Sequence, residues 1–503
     1  MSTLAELVSQ NLPALQVVLP MLAAPICVLA RRRDVAWVIA LVVTWISLGI
    51  SWTLLQRARA EGFVSYAMGG WEAPWGIELR IEPINAFVLL IVSSISAVVI
   101  VAARRSFEDE IPLDRHYLMY AAFLLCETGL LGMAGAGDAF NVFVFLEISS
   151  LATYALIAMG RHRSALTSAF RYLIMGTTGG TFILLGVGLL YMVTGTLNIE
   201  DLHHRLQEVD ADRTVLVALV CILVGTSIKL ALLPLGAWLP NAYTFAPSAV
   251  TAYLAATATK VAFYVMARFL FRVFGVELAF ERFNIDAVLM LLALLSMFLG
   301  AALAIFERDV KRLLAYSSLS QIGYMVLGLS LAGVTGLTGG IVHLFNHALM
   351  KSGLFLVIAC IVLRVGSSRL SGMKGLGRRM PLTAATFVAG GLSMIGVPLT
   401  AGFVSKWYLV SAALEAGLWP VALLILLSSL LAVIYVWKVV EVLYFEAPPD
   451  GLGREEAPWS ILLPAMLLIG ASLYFGIFTE HTVGVARLAA EALLNGVSAG
   501  VSP

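Results

Sequence analysis

Four of the seven lysines in this sequence stand inside long apolar segments: Lys229, Lys260, Lys351 and Lys406. A fifth, Lys438, lies near the end of another such segment, whereas the twenty-five arginines fall at segment ends or in loops. An ammonium group at the centre of a bilayer costs about 2.5–3.5 kcal/mol on insertion scales. A desolvated lysine can give up its proton, and an arginine cannot. The placement of the lysines therefore predicts that they move protons.

Two carboxylates accompany the first of these lysines. Glu147 lies in the middle of an apolar segment, and Asp138 lies at the mouth of the same segment. A carboxylate near Lys229 favours its charged form, and desolvation opposes it. Moving Glu147 toward or away from Lys229 would therefore switch the lysine between charged and neutral. The alternative is a static ion pair that only fixes helix packing.

A second group of titratable residues follows a helical stripe. His343, His347 and Lys351 are spaced i, i+4, i+8, which predicts side chains about 6 Å apart on one face. Histidine titrates near neutrality and suits a relay position. The histidines could instead only bond serines or backbone. Lys260 has no carboxylate within its own segment, which makes a purely structural role less favoured.

Three other charged residues carry simpler interpretations. Asp138 could be a helix N-cap, and Lys438 and Glu441, an i, i+3 pair, could extend together to the membrane interface. Asp138, Glu147 and Glu441 are the only carboxylates that we expect in the membrane. Hard cations prefer oxygen ligands, and a row of lysines repels them. We therefore expect protons in this chain, and sodium in a partner or at a subunit boundary.

Composition excludes several classes of protein. The chain has 503 residues, of which 60% are hydrophobic and 13% charged, which predicts a polytopic membrane protein. A net charge of +1 lacks the excess of basic residues that is typical of nucleic-acid-binding proteins. The four cysteines, Cys27, Cys126, Cys221 and Cys360, lie in apolar segments without a CxxC pair. This argues against an iron–sulfur cluster, a zinc site or a disulfide framework, so we expect no metal and no cofactor.

The apolar segments predict an all-α membrane protein with about fourteen transmembrane helices, because a spanning helix needs about 20 apolar residues. The polar stretches between them are too short for a separate domain, so residues 1–503 form one membrane domain. The predicted spans lie near 11–30, 35–56, 83–103, 117–135, 138–160, 169–194, 215–246, 248–272, 286–306, 313–332, 338–363, 383–416, 418–445 and 459–479.

The seventh and twelfth spans are interrupted, at Pro234–Pro240 and at Gly396–Gly402. Proline removes a donor and clashes inside a helix, so both helices should break there. The breaks lie five helices apart, which predicts that helices 4–8 and 9–13 are inverted repeats around an ion pathway. The alternative is a pair of ordinary proline kinks. The chain is then divided into helices 1–3 (1–116), a first repeat (117–272), a second repeat (286–445), and helix 14 with the tail (446–503).

Loop charges predict the orientation. If the loop at Arg31 is cytoplasmic, cytoplasmic loops hold eighteen Lys and Arg residues and the other side holds nine. Cytoplasmic loops are enriched in basic residues, so we expect both termini outside. The first apolar segment is expected to be a membrane helix rather than a signal peptide, since no basic residue precedes it.

At these residues the chain resembles the antiporter-like subunits of respiratory complex I, membrane-bound hydrogenases and Mrp-type cation/proton antiporters. The resemblance covers roughly residues 80–445. The motifs that carry it are Asp138-Ala-Phe-Asn-Val-Phe-Val-Phe-Leu-Glu147, Lys229-Leu-Ala-Leu-Leu-Pro234-Leu-Gly-Ala-Trp238-Leu-Pro240, Ala246-Pro-Ser-Ala-Val, Asp309-Val-Lys-Arg-Leu-Leu-Ala-Tyr-Ser-Ser and His347-Ala-Leu-Met-Lys351.

The resemblance implies a role for each titratable residue. Glu147 and Lys229 would be the input pair, and Lys260 the central relay. The histidine–lysine stripe would continue it, and Lys406 would be the terminal site. The segments that begin at Ser168 and Leu189 look most like the D-type subunits of Mrp antiporters. Gly236, where many relatives have histidine, and the Lys438–Glu441 pair depart from that pattern.

These observations predict a proton-translocating subunit of a multisubunit Na⁺/proton antiporter, rather than an enzyme, in a bacterial or archaeal cell membrane. Its expected partners are other membrane subunits, the lipid bilayer and protons, and no nucleic acid. The leading alternative is the proton-pumping arm of a redox-driven complex, either an NADH-quinone oxidoreductase or a membrane-bound hydrogenase. A stand-alone solute transporter is less favoured, because the chain offers a relay row and few other polar groups for a substrate. A scaffold that does not pump is less favoured, because every relay position is filled.

Overall fold

The computed structural model describes residues 4–209, 212–447 and 455–495. Within these ranges, twelve helices are long and apolar enough to cross a membrane. The prediction of an all-helical, polytopic membrane protein is confirmed. The C-terminal loop near Pro449 and the last residues of the chain, both part of the predicted final segment, lie outside the described residues.

The N-terminal part contains four helices and one hairpin. The hairpin pairs β1 (Val64–Ala67) with β2 (Glu78–Ile81) in antiparallel fashion within a stretch that the sequence predicts as loop. The helices are α1 (Leu4–Gln10), α2 (Leu12–Ala30), α3 (Arg33–Glu61) and α4 (Pro83–Glu110).

The central part places eight helices between the loops at residues 111 and 284. These helices are α5 (His116–Gly135), α6 (Ala139–Ala158), α7 (Arg163–Thr194), α8 (Ile199–Leu206), α9 (Asp212–Leu230), α10 (Leu239–Phe245), α11 (Ser248–Ala256) and α12 (Ala258–Arg268). Two π-helical segments, Phe269–Phe274 and Glu277–Arg282, follow α12.

The described residues of the C-terminal part form nine α-helices. They are α13 (Ile285–Phe306), α14 (Val310–Ser330), α15 (Val334–Val365), α16 (Leu376–Arg379), α17 (Pro381–Ile395), α18 (Ala401–Glu415), α19 (Trp419–Tyr444), α20 (Trp459–Ile477) and α21 (Glu480–Asn495). The long helix α15 packs at the centre of this part, against α14, α17, α18 and α20.

Both predicted helix breaks are present. Residues 231–238, which include Pro234, separate α9 from α10. Residues 396–400 separate α17 from α18, and Gly396 begins this break with φ of 92°. A positive φ is the left-handed region that glycine adopts without a side-chain clash, so glycine suits the end of α17.

A third break interrupts the eighth predicted span. Thr257 separates α11 from α12 with φ of −122° and ψ of −61°, and its hydroxyl donates to the carbonyl of Tyr253 at 2.8 Å. The sequence offers no proline or glycine at this point. Side-chain bonding by threonine to its own backbone competes with the regular helix ladder.

The number of membrane spans, fourteen, remains a prediction. The tenth predicted span corresponds to α14 and the twelfth to the pair α17 and α18, and neither is among the twelve long apolar helices. The inverted relation of the two repeats, the division of the chain at residues 116, 272 and 445, and the orientation of the termini also stay predictions.

The loops form two faces. Arg33, Glu108 and His116 lie together at the ends of α3, α4 and α5, and we call this side the Arg31 face. The opposite side carries the β hairpin, where Gly137 N donates to the carbonyl of Glu78 at 2.7 Å. We call it the hairpin face.

Candidate functional site

The structure brings Glu147 and Lys229 together. The Nζ atom of Lys229, on the last turn of α9, lies 3.6 Å from Oε1 of Glu147 on α6 and donates a 2.7 Å hydrogen bond to Oγ of Ser150. The lysine side chain is 5% exposed and the glutamate side chain 25%. The ammonium therefore has a hydroxyl and a carboxylate within reach, with the carboxylate at the longer distance.

A glycine on α7 makes room for the carboxylate. A Cβ atom built on Gly180 would lie 2.2 Å from Oε1 of Glu147. Side-chain carbons do not approach oxygen atoms so closely, so any larger residue would displace the carboxylate. Gly180 is therefore a positioning residue for the Glu147–Lys229 pair.

A small cavity adjoins this pair on the side of α12. It has a volume of about 20 Å³ and is lined by Lys229, Ser149, Ser150, Ala258 and Ala262, among others. A single water molecule needs about 10–15 Å³ of such space and two to four polar partners. The cavity can thus hold one water between Lys229 and the helix that carries Lys260.

Lys260 lies directly after the break at Thr257. Its side chain is completely buried, and Nζ donates to the carbonyl oxygen of Ala255, on the turn before the break, and to Oγ1 of Thr259 at 3.3 Å. No carboxylate within the described residues forms an ion pair with it. Its hydrogen-bond partners are therefore neutral oxygens, which can accept a bond from a charged or a neutral amine alike.

The histidine stripe continues on α15. The rings of His343 and His347 are stacked at 12° with centroids 6.1 Å apart, and both are completely buried. Nδ1 of His343 lies 2.8 Å from Oγ of Ser405 on α18. Neither nitrogen of His347 has a hydrogen-bond partner among the described residues. Lys260 lies within Coulombic range of both rings.

The last two lysines meet at Met394, on the final turn of α17. Nζ of Lys351 donates to the carbonyl of Leu314 at 2.8 Å and to Oγ of Ser317 at 2.5 Å, and lies 3.5 Å from the Met394 sulfur. Nζ of Lys406 donates to the carbonyls of Met394 at 3.1 Å and Ile395 at 2.8 Å. The break after α17 leaves these carbonyls free of helix partners.

An aromatic ring connects Lys406 to the histidine stripe. The Lys406 ammonium lies 4.7 Å from the ring centroid of Tyr324, and that ring lies 5.5 Å from the ring of His343. A cation over a tyrosine ring is stabilised by about 0.5–2 kcal/mol. The structure thus gives six buried side chains on α9, α12, α15 and α18, with Glu147 on α6 a quarter exposed beside the first of them; the six are Lys229, Lys260, His343, His347, Lys351 and Lys406.

Two of the other charged residues have structural partners. Asp138 is the N-cap of α6, since its side chain accepts from the backbone N of Asn141 at 2.7 Å. Lys438 does not pair with Glu441. It donates to the carbonyls of Ile305 and Glu307 at 2.9 and 2.8 Å, at the C-terminal end of α13, where free carbonyls attract cations.

The expectation of three membrane carboxylates is wrong, because Glu127 lies in the middle of α5 and is completely buried. The sequence does show this carboxylate, as a single glutamate inside the fourth predicted span. Glu127 has no second charged residue at helical spacing within that span, so the pattern of charges does not indicate a site there.

An arginine at a segment end can also be buried. Arg272, buried at the end of the α12 span, contacts Glu82 at 3.1 Å and Glu200 at 2.7 Å, and Arg80 contacts Glu82 at 2.8 Å. Burial raises the pKa of Glu82, but Arg272, Arg268 and Arg80 outweigh it and hold that pKa below its usual range. This cluster joins the β hairpin, α8 and α12 at the hairpin face.

The side chains of the region are ones that can exchange protons. It contains amines, imidazoles and one carboxylate, with hydroxyl and carbonyl oxygens between them. Within the ranges that the structure describes, no group of three His, Cys, Asp or Glu side chains could hold a metal ion.

Comparison with known proteins gives consistent results. Residues 136–432 match the family described as NADH:quinone oxidoreductase/Mrp antiporter, transmembrane. The chain is 40% identical to NADH-quinone oxidoreductase subunit N of Desulforudis audaxviator, over 94% of this chain and 97% of the relative. It is 28% identical to the D subunit of the Na(+)/H(+) antiporter of Bacillus subtilis, over 96% and 97%. A chain of the Mrp complex from Dietzia superposes with a TM-score of 0.88 at 25% identity, covering 97% of this chain and 98% of that one.

Proposed function

Because the chain belongs to the NADH:quinone oxidoreductase/Mrp antiporter transmembrane family, we propose that its buried row of titratable side chains translocates protons. We further propose that the chain does so as a subunit of a hetero-oligomeric Na⁺/proton antiporter. In this proposal it is an ion-translocating subunit and not itself an enzyme.

The observation that carries the proposal is the environment of Lys260. A completely buried amine in the middle of a membrane span, bonded to a carbonyl and a hydroxyl, has no carboxylate to fix its charge. Such a group is destabilised when charged. A residue that served only packing would be replaced at lower free-energy cost by an apolar side chain of similar size.

In the first step of the proposed proton transfer, Glu147 controls the charge of Lys229. At 3.6 Å its carboxylate attracts the Lys229 ammonium without a hydrogen bond, so a small movement changes the interaction strongly. When Glu147 moves away, the charged form of Lys229 loses its stabilisation, and the proton passes toward Lys260. The cavity between Lys229 and α12 has space for one water beside Lys229, and because Lys260 does not line it, the transfer also requires movement of a lysine side chain.

The second step carries the charge along α15. Lys260 repels positive charge on His343, His347 and Lys351, which all lie within its Coulombic range. A proton arriving at Lys260 therefore drives the next proton toward Lys406. The α17–α18 break beside Lys406 exposes backbone carbonyls, which can be hydrated from one side.

A polar cleft on the Arg31 face is the proposed point of proton entry. It has a volume of about 600 Å³ and is lined by Asp109, Glu110 and Lys311, among others. Glu110 accepts from the backbone N of Ser248, the first residue of α11, at 2.7 Å. The cleft thus brings solvent to the start of the helix pair that carries Lys260.

Partners are proposed by similarity to the solved relatives. The Mrp structure is that of a complex, so we propose that this chain also assembles with other membrane subunits, in a bacterial or archaeal cell membrane. Sodium would pass through a partner or along a subunit boundary, because the described part of the row contains only one carboxylate.

A second candidate function is the proton-pumping arm of a redox-driven complex. The identity of 40% to a NADH-quinone oxidoreductase subunit N, against 28% to the D subunit of an antiporter, favours it. The proton row would be the same, and only the driving subunits would differ. Purification that retains partners distinguishes the two: small antiporter subunits indicate the first, and dehydrogenase or hydrogenase subunits the second.

The test of proton translocation is the variant Lys260→Ala in membrane vesicles that contain the assembled complex. Its removal cuts the row without leaving a carboxylate unpaired, so we expect cation-driven or redox-driven pH change to be lost. The control is Lys374→Ala, which removes an exposed lysine paired with Glu446 at 2.8 Å and should retain transport. Normal transport by assembled Lys260→Ala would overturn the proposal.

A further inference from the structure

Glu127 has no part in the row described above. It lies near the middle of α5, its side chain is completely buried, and neither carboxyl oxygen has a hydrogen-bond partner among the described residues. An isolated ionised carboxylate in such a place costs several kcal/mol or more. The side chain is therefore held as a neutral carboxylic acid, whose O–H group lacks a fixed acceptor.

Two hydroxyl groups lie next to this acid. Ser96 on α4 adjoins the carboxyl group but donates its own proton to the carbonyl of Val92 at 2.9 Å. Tyr253 on α11 adjoins both Ser96 and Glu127, and its ring packs 4.2 Å from Phe123, one turn from Glu127 on α5. Tyr253 also accepts, through its carbonyl, the hydroxyl of Thr257 at the break before Lys260. The acid is thus packed against the helix pair that carries Lys260.

On its other side, Ser96 begins a line of buried polar side chains. Ser93 stands one turn away on the same face of α4, and its single O–H can donate either to Oγ of Ser51 on α3, at 2.9 Å, or to the carbonyl of Leu89, at 2.8 Å. Oγ of Ser51 also accepts from Nε2 of Gln16 on α2 at 2.8 Å. Ser93, Ser51 and Gln16 are all buried, so the line crosses three helices without reaching lipid.

The line ends near the hairpin face. Gln16 stands four residues after Leu12, the first residue of α2, which is about 6 Å along the helix axis. Asn11, directly before α2, accepts from the hydroxyl of Tyr66 in the β hairpin at 2.7 Å. The unpaired Oε1 of Gln16 is thus an acceptor within about one helical turn of that surface.

We propose that Glu127 is a second proton-exchanging site of this chain, connected through Ser96 and Ser93 to Ser51, which Gln16 holds by a hydrogen bond on the side of the hairpin face. The proposal rests on the proton-translocating function proposed above and adds to it a titratable group and a route through the N-terminal helices.

The exchange needs only proton transfer. The O–H bond of the Glu127 carboxyl breaks as the Ser96 oxygen accepts the proton; the Ser96 proton then passes to Ser93, and the Ser93 proton to Ser51, as these O–H groups turn away from the helix carbonyls. Gln16 carries no proton, because it meets Ser51 through its Nε2–H donor, and in this proposal Ser51 exchanges its proton with solvent from the hairpin face. A serine hydroxyl both donates and accepts, so it can take part in each direction. A proton returning along the line restores the acid, and no oxidant or reductant is required.

The test is infrared spectroscopy of the purified complex, transferred from H₂O to D₂O without any gradient. We expect a carboxylic acid C=O band that is absent in Glu127→Gln, is displaced in Glu127→Asp, and shifts on deuteration. Ser93→Ala removes the link from α4 to Ser51 and should slow that shift at least several-fold. The matched control is Thr44→Val, because the Thr44 hydroxyl on α3 is buried but bonds only the carbonyl of Leu41, at 3.0 Å.

The proposal is overturned if neither Glu127 variant alters an acid band, if the assigned band does not shift in D₂O, or if Ser93→Ala exchanges at the wild-type rate. Assembly of each variant is checked by copurification, and Glu127→Asp assigns the band if Glu127→Gln does not assemble. The measurement requires no transport. The infrared test of Glu127 can therefore fail while the Lys260→Ala result still supports proton transfer through the lysines and histidines. It can also succeed if that proposed transfer is contradicted.

Discussion

Nζ of Lys229 and Oε1 of Glu147 lie 3.6 Å apart, within ion-pair range but beyond a hydrogen bond, while the hydroxyl of Ser150 takes the hydrogen bond from the lysine at 2.7 Å. The lysine therefore stays solvated by Ser150 when the carboxylate moves. An ion pair built only for packing would favour direct contact, since charge-assisted hydrogen bonds are shorter and stronger. The geometry suits a charge that is adjusted during transport.

Replacing Glu147 tests the electrostatic part of this pair. Glu147→Gln keeps the shape and removes the charge, so Lys229 loses its stabilisation and transport should fall by at least tenfold, equivalent to about 1.4 kcal/mol. Glu147→Asp keeps the charge at a greater distance and should be milder. Initial rates of pH change in vesicles, corrected for the amount of assembled complex, measure both. A Gln variant as active as wild type would exclude electrostatic switching by this residue.

Gly180 offers a test of position without a change of charge. Gly180→Ala introduces a Cβ that meets Oε1 of Glu147 at 2.2 Å, so the carboxylate must move and transport should fall several-fold. Gly188→Ala, on the same helix α7, meets no atom within 4 Å and should be neutral. The same vesicle assay compares the two. Equal rates in both variants would show that the distance between Glu147 and Lys229 does not limit transport.

The arginine–carboxylate cluster at the hairpin face predicts acid sensitivity. Burial raises the pKa of Glu82, but Arg272, Arg268 and Arg80 dominate and lower it below the ordinary value of 4.5. A group whose pKa is lowered on folding stabilises the folded state above its unfolded pKa. This stabilisation is lost as the pH falls below about 4.5 and through the folded pKa. The melting temperature of the solubilised complex should therefore decrease as the pH is lowered below about 4.5.

Glu82→Gln identifies the residue responsible. Removing one partner from a buried ion pair costs roughly 3–5 kcal/mol, so the variant should melt at a lower temperature at pH 7 and show a smaller further decrease in acid. Glu72→Gln, at an exposed position in the turn between β1 and β2, should follow wild type at both pH values. If Glu82→Gln also follows wild type, the cluster does not hold the hairpin face together.

Much of the architecture follows from local sequence. Long apolar runs predict the spans, and Pro234 and Gly396 predict two breaks, because both residues act on the backbone directly. The break at Thr257 coincides with a hydrogen bond from its hydroxyl to the Tyr253 carbonyl, but Thr128 and Thr226 make the same bond inside unbroken helices, so neither composition nor this bond reveals the break. This is why the sequence places Lys260 in the correct span but not beside an interrupted helix.

Other features depend on which helices become neighbours. The sequence places Lys438 near Glu441, whereas the structure gives it the free carbonyls at the end of α13, more than a hundred residues away. The line from Gln16 to Ser93 also joins three helices whose serines look like ordinary small residues in the sequence. Spacing within one helix cannot predict such contacts.

The central claim is that the buried lysines exchange protons rather than supply fixed charge. Arginine keeps the charge but does not release its proton. Lys438 serves as the matched control, because its contacts to the carbonyls of Ile305 and Glu307 require only a donor.

The measurement is the initial rate of cation-driven or redox-driven pH change in vesicles that contain Lys406→Arg or Lys438→Arg, with assembly of each complex checked by copurification. We predict that Lys438→Arg transports at close to the wild-type rate and that Lys406→Arg does not transport, although it keeps the charge beside Met394 and Tyr324. Full transport by Lys406→Arg would contradict the account, because the terminal lysine would then act through its charge alone.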